Sequence, residues 1–424
     1  MTRITIITAG SRGDVQPYIA LGRGLLRAGH AVTVLATANF ESLVTEAGLG
    51  FRSMGRSIEE RINTDEWRAT IEGGNFIKIL GKMQSEMKTA SQEQAKLLPP
   101  LIEGSELLIM GMAGIGLSSL AEKYHIPVVH AHLFPFSPTR AFPAPLVTRL
   151  PFGAVLNPLS FHITRQLFWQ SNKASDVALR RAMGMSSGAP FWGPFRHIAQ
   201  SGAPTLHGYS AHVLPRPSDW DATHHVTGYW FLDEPNGWQP PADLAAFLDA
   251  GAPPVYIGFG SMGSRTPEQL ANIAIEALAR TGQRGILSSG WGGLKAENLP
   301  DTVHQIGSVP HSWLFPRMAA VVHHGGAGTS GAGARAGVPT QIIPFMADQP
   351  FWGHRLASLG VAPAPIPRKR LTSDKLAASI RQMTSDTAMR QRAHALGERI
   401  RAEDGIGQAV ALIERALVGR HAHA

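Results

Sequence analysis

The sequence predicts an α/β protein of two Rossmann-like, doubly wound domains facing across a cleft. Short apolar β-runs alternate with helix-length patterns, the alternation pauses at a Pro/Gly/Trp-rich stretch, and the same grammar then restarts. In both halves a glycine-rich turn follows an apolar run where a helix begins. At 424 residues the chain is long enough for two cores. A composition of 44% hydrophobic and 17% charged residues excludes a disordered chain, and zero cysteines exclude disulfides and thiolate chemistry.

In the first half, strands are predicted at 4–8, 31–36, 107–110 and 127–130, with helices at 16–27 and 116–124 between them. Longer helical stretches at 65–98 and 156–183 interrupt the pattern, and Gly73, Gly74 and Gly81 break the first. Residues 233–241 have the composition of a linker. Strands then recur at 255–257, 285–288, 319–322 and 341–343, with a helix at 268–279 and mostly helix after Thr372. The domains are therefore drawn at 1–232 and 242–424, with the last helix free to pack back on the first domain.

The most informative stretch is His323-His324-Gly325-Gly326-Ala327-Gly328-Thr329, directly after an apolar run. Glycines remove the side chains there and a helix follows, so unpaired N–H groups and the positive end of the helix dipole could hold a phosphate without a metal. A tight turn in which glycine only relieves crowding would use the same letters. Gly258-Phe259-Gly260-Ser261-Met262-Gly263 has the spacing of a dinucleotide fingerprint. With a second phosphate-suited turn in the same domain, one nucleotide diphosphate gripped by both loops is the more economical reading, and Ser261 would donate its hydroxyl to it. In the first domain Ala9-Gly10-Ser11-Arg12-Gly13-Asp14 joins strand to helix. Asp14 could cap that helix, or face the cleft as a general base.

Two further clusters resemble metal sites. Asp219-Trp220-Asp221 with His224 and His225 is read as a solvated turn, and His130 with His132 as core or cleft lining. The net charge of +8 is compatible with phosphorylated ligands, anionic membranes or nucleic acid. Zinc spacing and RRM-like strands are missing, and the densest basic run is Arg368-Lys369-Arg370, so nucleic acid is not expected. Residues 123–175 hold no Asp or Glu but carry Lys123, Arg140, Arg149, Arg165 and Lys173 among many aromatic and aliphatic side chains. Greasy and basic together suit a lipophilic ligand or a membrane surface, or a core segment short of acids. Met1-Thr2-Arg3 leads straight into a strand, without a signal-peptide layout, and no apolar run reaches the length of a membrane span. A cytoplasmic protein, at most peripheral at a membrane, is expected; its oligomeric state is not encoded in any of these features.

Taken together, Gly10-Ser11-Arg12-Gly13-Asp14-Val15-Gln16-Pro17, Val226-Thr227-Gly228-Tyr229-Trp230, the 254–262 run, 323–329 and Asp348-Gln349-Pro350-Phe351-Trp352-Gly353 resemble the family 1 glycosyltransferases of the GT-B fold. Among these the chain is most similar to sterol 3-beta-glucosyltransferases and antibiotic-aglycone glycosyltransferases. The resemblance spans nearly the whole chain and implies an inverting transfer of a hexose, glucose by preference, from a UDP-sugar to a lipophilic alcohol such as a sterol or similar polycycle. It implies Asp14 as base. His324, with Gly326, Gly328 and Thr329 around it, would contact the donor diphosphate, and Asp348 and Gln349 the sugar hydroxyls. His311, in Val309-Pro310-His311, would lie in the loop that holds the nucleotide base. Ser11, Arg12 and Gly13 would border the donor, and His132, Phe134, Phe136 and Phe142 would line the acceptor side. Eight residues after His324, where plant members carry a ribose-binding Glu, this chain has Ala332. No metal or other cofactor is expected, because the helix start supplies the positive charge. The rival readings are a non-catalytic nucleotide-sugar or lipid-binding module and a GT-B enzyme acting on an antibiotic, polyketide or phenolic aglycone.

Overall fold

The computed structural model describes residues 1–55, 67, 70, 78, 79, 81, 82, 95–147, 153–233, 237–260, 267–289 and 299–421. Ser261, most of the helix expected at 65–98 and part of the linker lie outside them.

The N-terminal domain is built on a parallel sheet of β1 (Arg3–Ile7), β2 (Ala31–Ala36), β3 (Gly50–Ser53), β4 (Leu107–Met110), β5 (Val128–His132), β6 (Thr205–His207) and β7 (His224–Val226). Their order is β3-β2-β1-β4-β5-β6-β7. The second sheet holds β8 (Val255–Gly258), β9 (Gly285–Ser288), β10 (Val303–Ile306), β11 (Ala320–His323) and β12 (Thr340–Ile342), in the order β10-β9-β8-β11-β12. The near-continuous apolar runs of β4 and β8 follow from burial on both faces, as parallel sheets require. The strands β3, β6, β7 and β10 escape the sequence reading because each is three or four residues long and carries polar letters.

In each sheet the strand order reverses beside the first strand, β1 or β8. Such a switch point leaves a crevice above the strand ends where neighbouring loops part in opposite directions. The helices that matter here are α1 (Arg12–Arg27), α2 (Ser118–Tyr124), α3 (Gly153–Ala182), α4 (Pro267–Thr281), α5 (Ala327–Ala336), α6 (Gln349–Ser358), α7 (Ser373–Ser385), α8 (Thr387–Arg401) and α9 (Gly405–His421).

The two domains share an apolar seam. Tyr209, Val213, Leu214 and Tyr229 of the first pack against Phe351, Trp352, Leu396 and Ile400 of the second. Polar ties cross it as well: Arg355 Nε donates to the Val213 carbonyl at 2.5 Å and Ser210 to Glu403 at 2.8 Å. The chain also returns to where it began, with α9 placing Ala409, Val410 and Ile413 in the core around α1 and β1. Among the described residues no helix is long and apolar enough to cross a membrane.

Candidate functional site

β8 and β11 are hydrogen-bonded neighbours, with Gly258 opposite His323. Two loops separated by sixty residues of sequence therefore leave the sheet side by side. His324 sits between them. A Cβ on Gly260 would lie 3.2 Å from the His324 ring, and one on Gly326 would lie 2.6 Å from His324 Nε2. Both glycines are needed for the ring to fit, and Gly260 also has a positive φ of 59°. Behind it, His323 is fully buried and its Nδ1 accepts the Gly325 N–H at 2.9 Å, which sets the turn. Burial lowers the His324 pKa to about 4, so the ring is neutral at pH 7. Its Nδ1 has no hydrogen-bond partner among the described residues.

Gly326 is the N-cap of α5 and makes no side-chain cap, so the first N–H groups of the helix open toward the cleft. Gly326, Gly328 and Thr329 are all partly exposed there. His311, stacked on Phe315 at 4.2 Å, has its pKa lowered to about 4 by burial first and then by the charges of Arg12 and His324. Burial thus makes every imidazole of this wall a neutral hydrogen-bonding group.

Across the cleft, β1 ends at Ile7 and Ser11 caps α1. Asp14 is the third residue of that helix, not its N-cap, and it keeps a capping role by closing a capping box with Ser11. Its Oδ2 accepts Ser11 N–H at 2.7 Å and Ser11 Oγ–H at 2.8 Å. Gly10, at φ +137°, leaves the space this carboxylate fills. The carboxylate keeps contact with solvent in the cleft, yet the protein around it raises its pKa by desolvation, against the pull of the two Ser11 bonds.

The two sides meet closely. Arg12 donates to Ser308 Oγ at 2.9 Å, and a Cβ on Gly328 would be 3.8 Å from the Gly13 carbonyl. The charge on Asp14 is felt at Asp348, whose pKa is pushed up to about 7, mainly by burial. Asp348 Oδ2 accepts Trp352 Nε1–H at 2.8 Å. The preceding residue, Ala347, has φ +56°, a conformation that costs a residue with a Cβ energy and is held by its surroundings. Gln349 Oε1 accepts the Phe345 and Met346 N–H groups at 2.7 and 3.0 Å, so this side chain pins the loop that presents Asp348.

Residues 4–143 match the glycosyltransferase family 28 N-terminal domain, and residues 292–411 match the erythromycin biosynthesis protein CIII-like C-terminal domain. A sterol 3-beta-glucosyltransferase of Arabidopsis thaliana, UGT80B1, is 36% identical over 98% of this chain and 68% of its own length. The chain belongs to the family 1 glycosyltransferases of the GT-B fold. It spans about two thirds of the plant relatives, 64% of UGT80A2 at 35% identity, and 27% of the Cryptococcus neoformans sterol 3-beta-glucosyltransferase. The GT-B fold is also that of CalG4, the calicheamicin glycosyltransferase, whose crystal structure superposes with a TM-score of 0.67 at 19% identity, covering 100% of this chain and 99% of that one.

Within this GT-B frame the structure brings together Ser11, Arg12, Gly13 and Asp14 from one domain with His311, His324, Gly326, Gly328, Thr329, Asp348 and Gln349 from the other. Ser261 lies outside the described residues, directly after Gly260. Of the residues expected to line the acceptor, Phe142 packs 5.6 Å from Phe351 of the neighbouring domain and Phe134 is half-buried. Phe136 is enclosed by His132, Phe134, Phe168 and Phe195, so it backs the wall rather than lining it. His132 is likewise buried, in an imidazole row with His130 and His207 whose members burial keeps neutral.

The Asp219–Asp221 turn is solvent-exposed, as the sequence reading has it, and is ordered by hydrogen bonds at its base. Asp219 accepts Thr139 Oγ1–H at 2.6 Å and the Arg140 N–H at 2.7 Å, Asp221 accepts from Thr223, and Trp220 is buried against His207. Among the described residues no group of three or more His, Asp or Glu could hold a metal ion. The Arg12–Ser308 bridge, the strained Ala347 and the Trp352 tether were missed in the sequence. Of these only Trp352, one helical turn after Asp348, left a spacing signal.

Proposed function

We propose that the protein is an inverting glycosyltransferase that moves a hexose, by preference glucose, from UDP-sugar to a hydroxyl of a lipophilic alcohol, a sterol or similar polycycle, drawn from a lipid surface. The observation that carries it is the placement of Asp14 across a narrow cleft from His324 and the start of α5, with Arg12 spanning the gap to Ser308. The 35–36% identity to sterol 3-beta-glucosyltransferases supports the acceptor class.

Displacement at the anomeric carbon develops charge at two places. The departing diphosphate gains negative charge, and the open N–H groups of α5 with the neutral His324 donor are preorganised to receive it. That supply of positive dipole makes a metal unnecessary for the leaving group. The attacking hydroxyl must lose a proton. Water, standing in for an alcohol, has a pKa about 12 units above a free aspartate, so full prior deprotonation would cost about 16 kcal/mol. Proton transfer to Asp14 therefore accompanies C–O bond formation, and a raised Asp14 pKa makes it a better base. Asp348 and Gln349 would read the sugar hydroxyls, His311 would lie by the nucleotide base, and Ser261 would hold a phosphate oxygen. On the acceptor side, burying about 300 Å² of a rigid polycycle is worth about 7 kcal/mol before binding costs, which a small polar sugar cannot match.

The test is a donor and acceptor panel read by mass spectrometry: UDP-glucose, other UDP-hexoses and dTDP-glucose against sterols, polyketides, phenolics and free sugars, with and without EDTA. Glucosylated sterol formed from UDP-glucose, unaffected by EDTA, is the expected result. Turnover of free sugars alone overturns the acceptor. Loss of turnover with EDTA and recovery with Mg²⁺ overturns the metal-free mechanism.

A further inference from the structure

The helix α3 turns an apolar stripe away from the protein. Its buried side is mixed, with Asn157, Ser160, Thr164, Asn172, Ser175 and Asp176 beside Phe161, Trp169 and Leu179. Its exposed side carries Val155, Leu156, Leu159, Ile163, Leu167 and Val177. At 100° per residue these six fall within one sector, so they form a single stripe along the helix. Several of the inward polar groups find protein partners: Asn157 Nδ2 donates to the Arg140 carbonyl, Ser160 Oγ to that of Asn157, Asn172 Nδ2 to that of Phe168, and Arg180 pairs with Asp176 at 2.7 Å. No such partner covers the outer stripe among the described residues. Beside it lie two further rings, Phe191 at 62% and Trp192 at 71% exposure. Gln166 and Gln170, on the same sector of α3, donate to the Phe191 carbonyl at 3.1 Å each and hold the pair against the stripe.

The charge carried by this stretch of chain is almost all basic, and the half-exposed Glu122 just before it is taken up by Arg180 and Ser187. From Lys123 to Ser218 the sole acid is Asp176, which is fully buried and paired, while Lys173, Arg181 and Arg196 flank the stripe and the two rings. Lys173 Nζ sits 5.5 Å over the Phe191 ring. Apolar side chains for an acyl boundary, aromatic rings for its interface and cations without acids for its headgroups match one occupant.

We propose that the outer face of α3, with Phe191 and Trp192, is the surface by which the protein docks on an anionic lipid bilayer. The proposal deepens the reading that the acceptor comes from a lipid surface and rests on it. The opposite side of α3 carries Phe168 and Trp169 into the aromatic cluster of Phe134 and Phe136. One helix thus joins the docking face to the wall of the acceptor side.

The experiment measures sedimentation of the full chain with vesicles of phosphatidylcholine alone or with 30% phosphatidylserine, free of donor and acceptor. Three variants are compared: Phe191→Ser with Trp192→Ser, Leu159→Gln with Ile163→Gln, and Lys173→Glu with Arg196→Glu. Their melting temperatures and their turnover on an acceptor delivered in cyclodextrin control for folding. The wild type should bind the anionic vesicles at least tenfold more than the neutral ones, and less as salt rises. Each variant should lose at least tenfold of that binding and keep turnover on the dispersed acceptor. Wild type that ignores both vesicles, or variants that bind like wild type, overturn the docking face while leaving the transferase reading intact. Vesicle binding without any transfer to dispersed acceptor overturns the transferase reading and leaves the face. A dimer at micromolar concentration that the apolar variants dissociate assigns the stripe to a second copy and overturns the proposal.

Discussion

Asp14 and Asp348 are two carboxylates whose environments push both pKa values up, yet they differ in what holds them. Asp14 is oriented by two bonds from Ser11, so Asp14→Asn keeps its shape and removes the basic oxygen. Transfer should fall by on the order of 10² or more, with donor affinity measured by calorimetry nearly unchanged, since the donor elements lie in the other domain. Near-normal turnover would return Asp14 to a purely helix-ordering role. Asp348 offers a stability test. Its folded pKa of about 7 lies above the 3.8 of an unfolded aspartate, so its contribution is fully present below pH 4 and lost as pH rises to 7. Asp348→Asn should leave the melting temperature unchanged near pH 3 and raise it by about 2–4 °C at pH 8 for each kcal/mol relieved. Equal shifts at both pH values would contradict the buried acid.

At the scale of the element, the start of α5 combines a fitted ring with a free helix end. Gly326 has φ −58° and ψ 146°, angles that alanine adopts without strain. Its Cβ would nonetheless meet His324 Nε2 at 2.6 Å. Gly326→Ala should therefore displace the imidazole and lower UDP affinity at least tenfold, while chemical unfolding changes by less than about 1 kcal/mol. Unaltered UDP affinity in calorimetry would mean that this ring does not grip the donor. The loop before α6 behaves in the same way: a strained Ala347 is held because Gln349 pins the two N–H groups before it and Trp352 anchors the Asp348 carboxylate.

The whole molecule is closed by its two ends. Helix α9 follows the second domain in sequence but buries Ile413 in the first domain's core, and Gly24 of α1 lacks a Cβ where Ile406 approaches. Ile413→Ala should destabilise the N-terminal domain by about 2–5 kcal/mol, read as early loss of structure in that domain by hydrogen exchange. Destabilisation confined to the second domain would refute the return of the chain. Because α9 and the Tyr209–Trp352 seam cross between the domains, the spacing of Asp14 and His324 depends on contacts remote from both.

The sequence by itself determined the α/β class and the two glycine-rich turns, because each is a local signal: an apolar period, or glycine where a Cβ cannot fit. It also carried the motifs from which Asp14, His324 and Asp348 were chosen. Short strands such as Thr205–His207 and His224–Val226 stayed hidden, since three polar-rich residues become a strand only when a neighbouring strand pairs with them. The tertiary structure alone decided that Phe136 is buried behind Phe134, that Asp219 is bound to Thr139 and Arg140, and that the apolar stripe of α3 faces outward. Period and composition reveal which residues share a helix face. Which side of that helix meets protein is fixed by what packs around it, and those contacts join residues far apart in the chain.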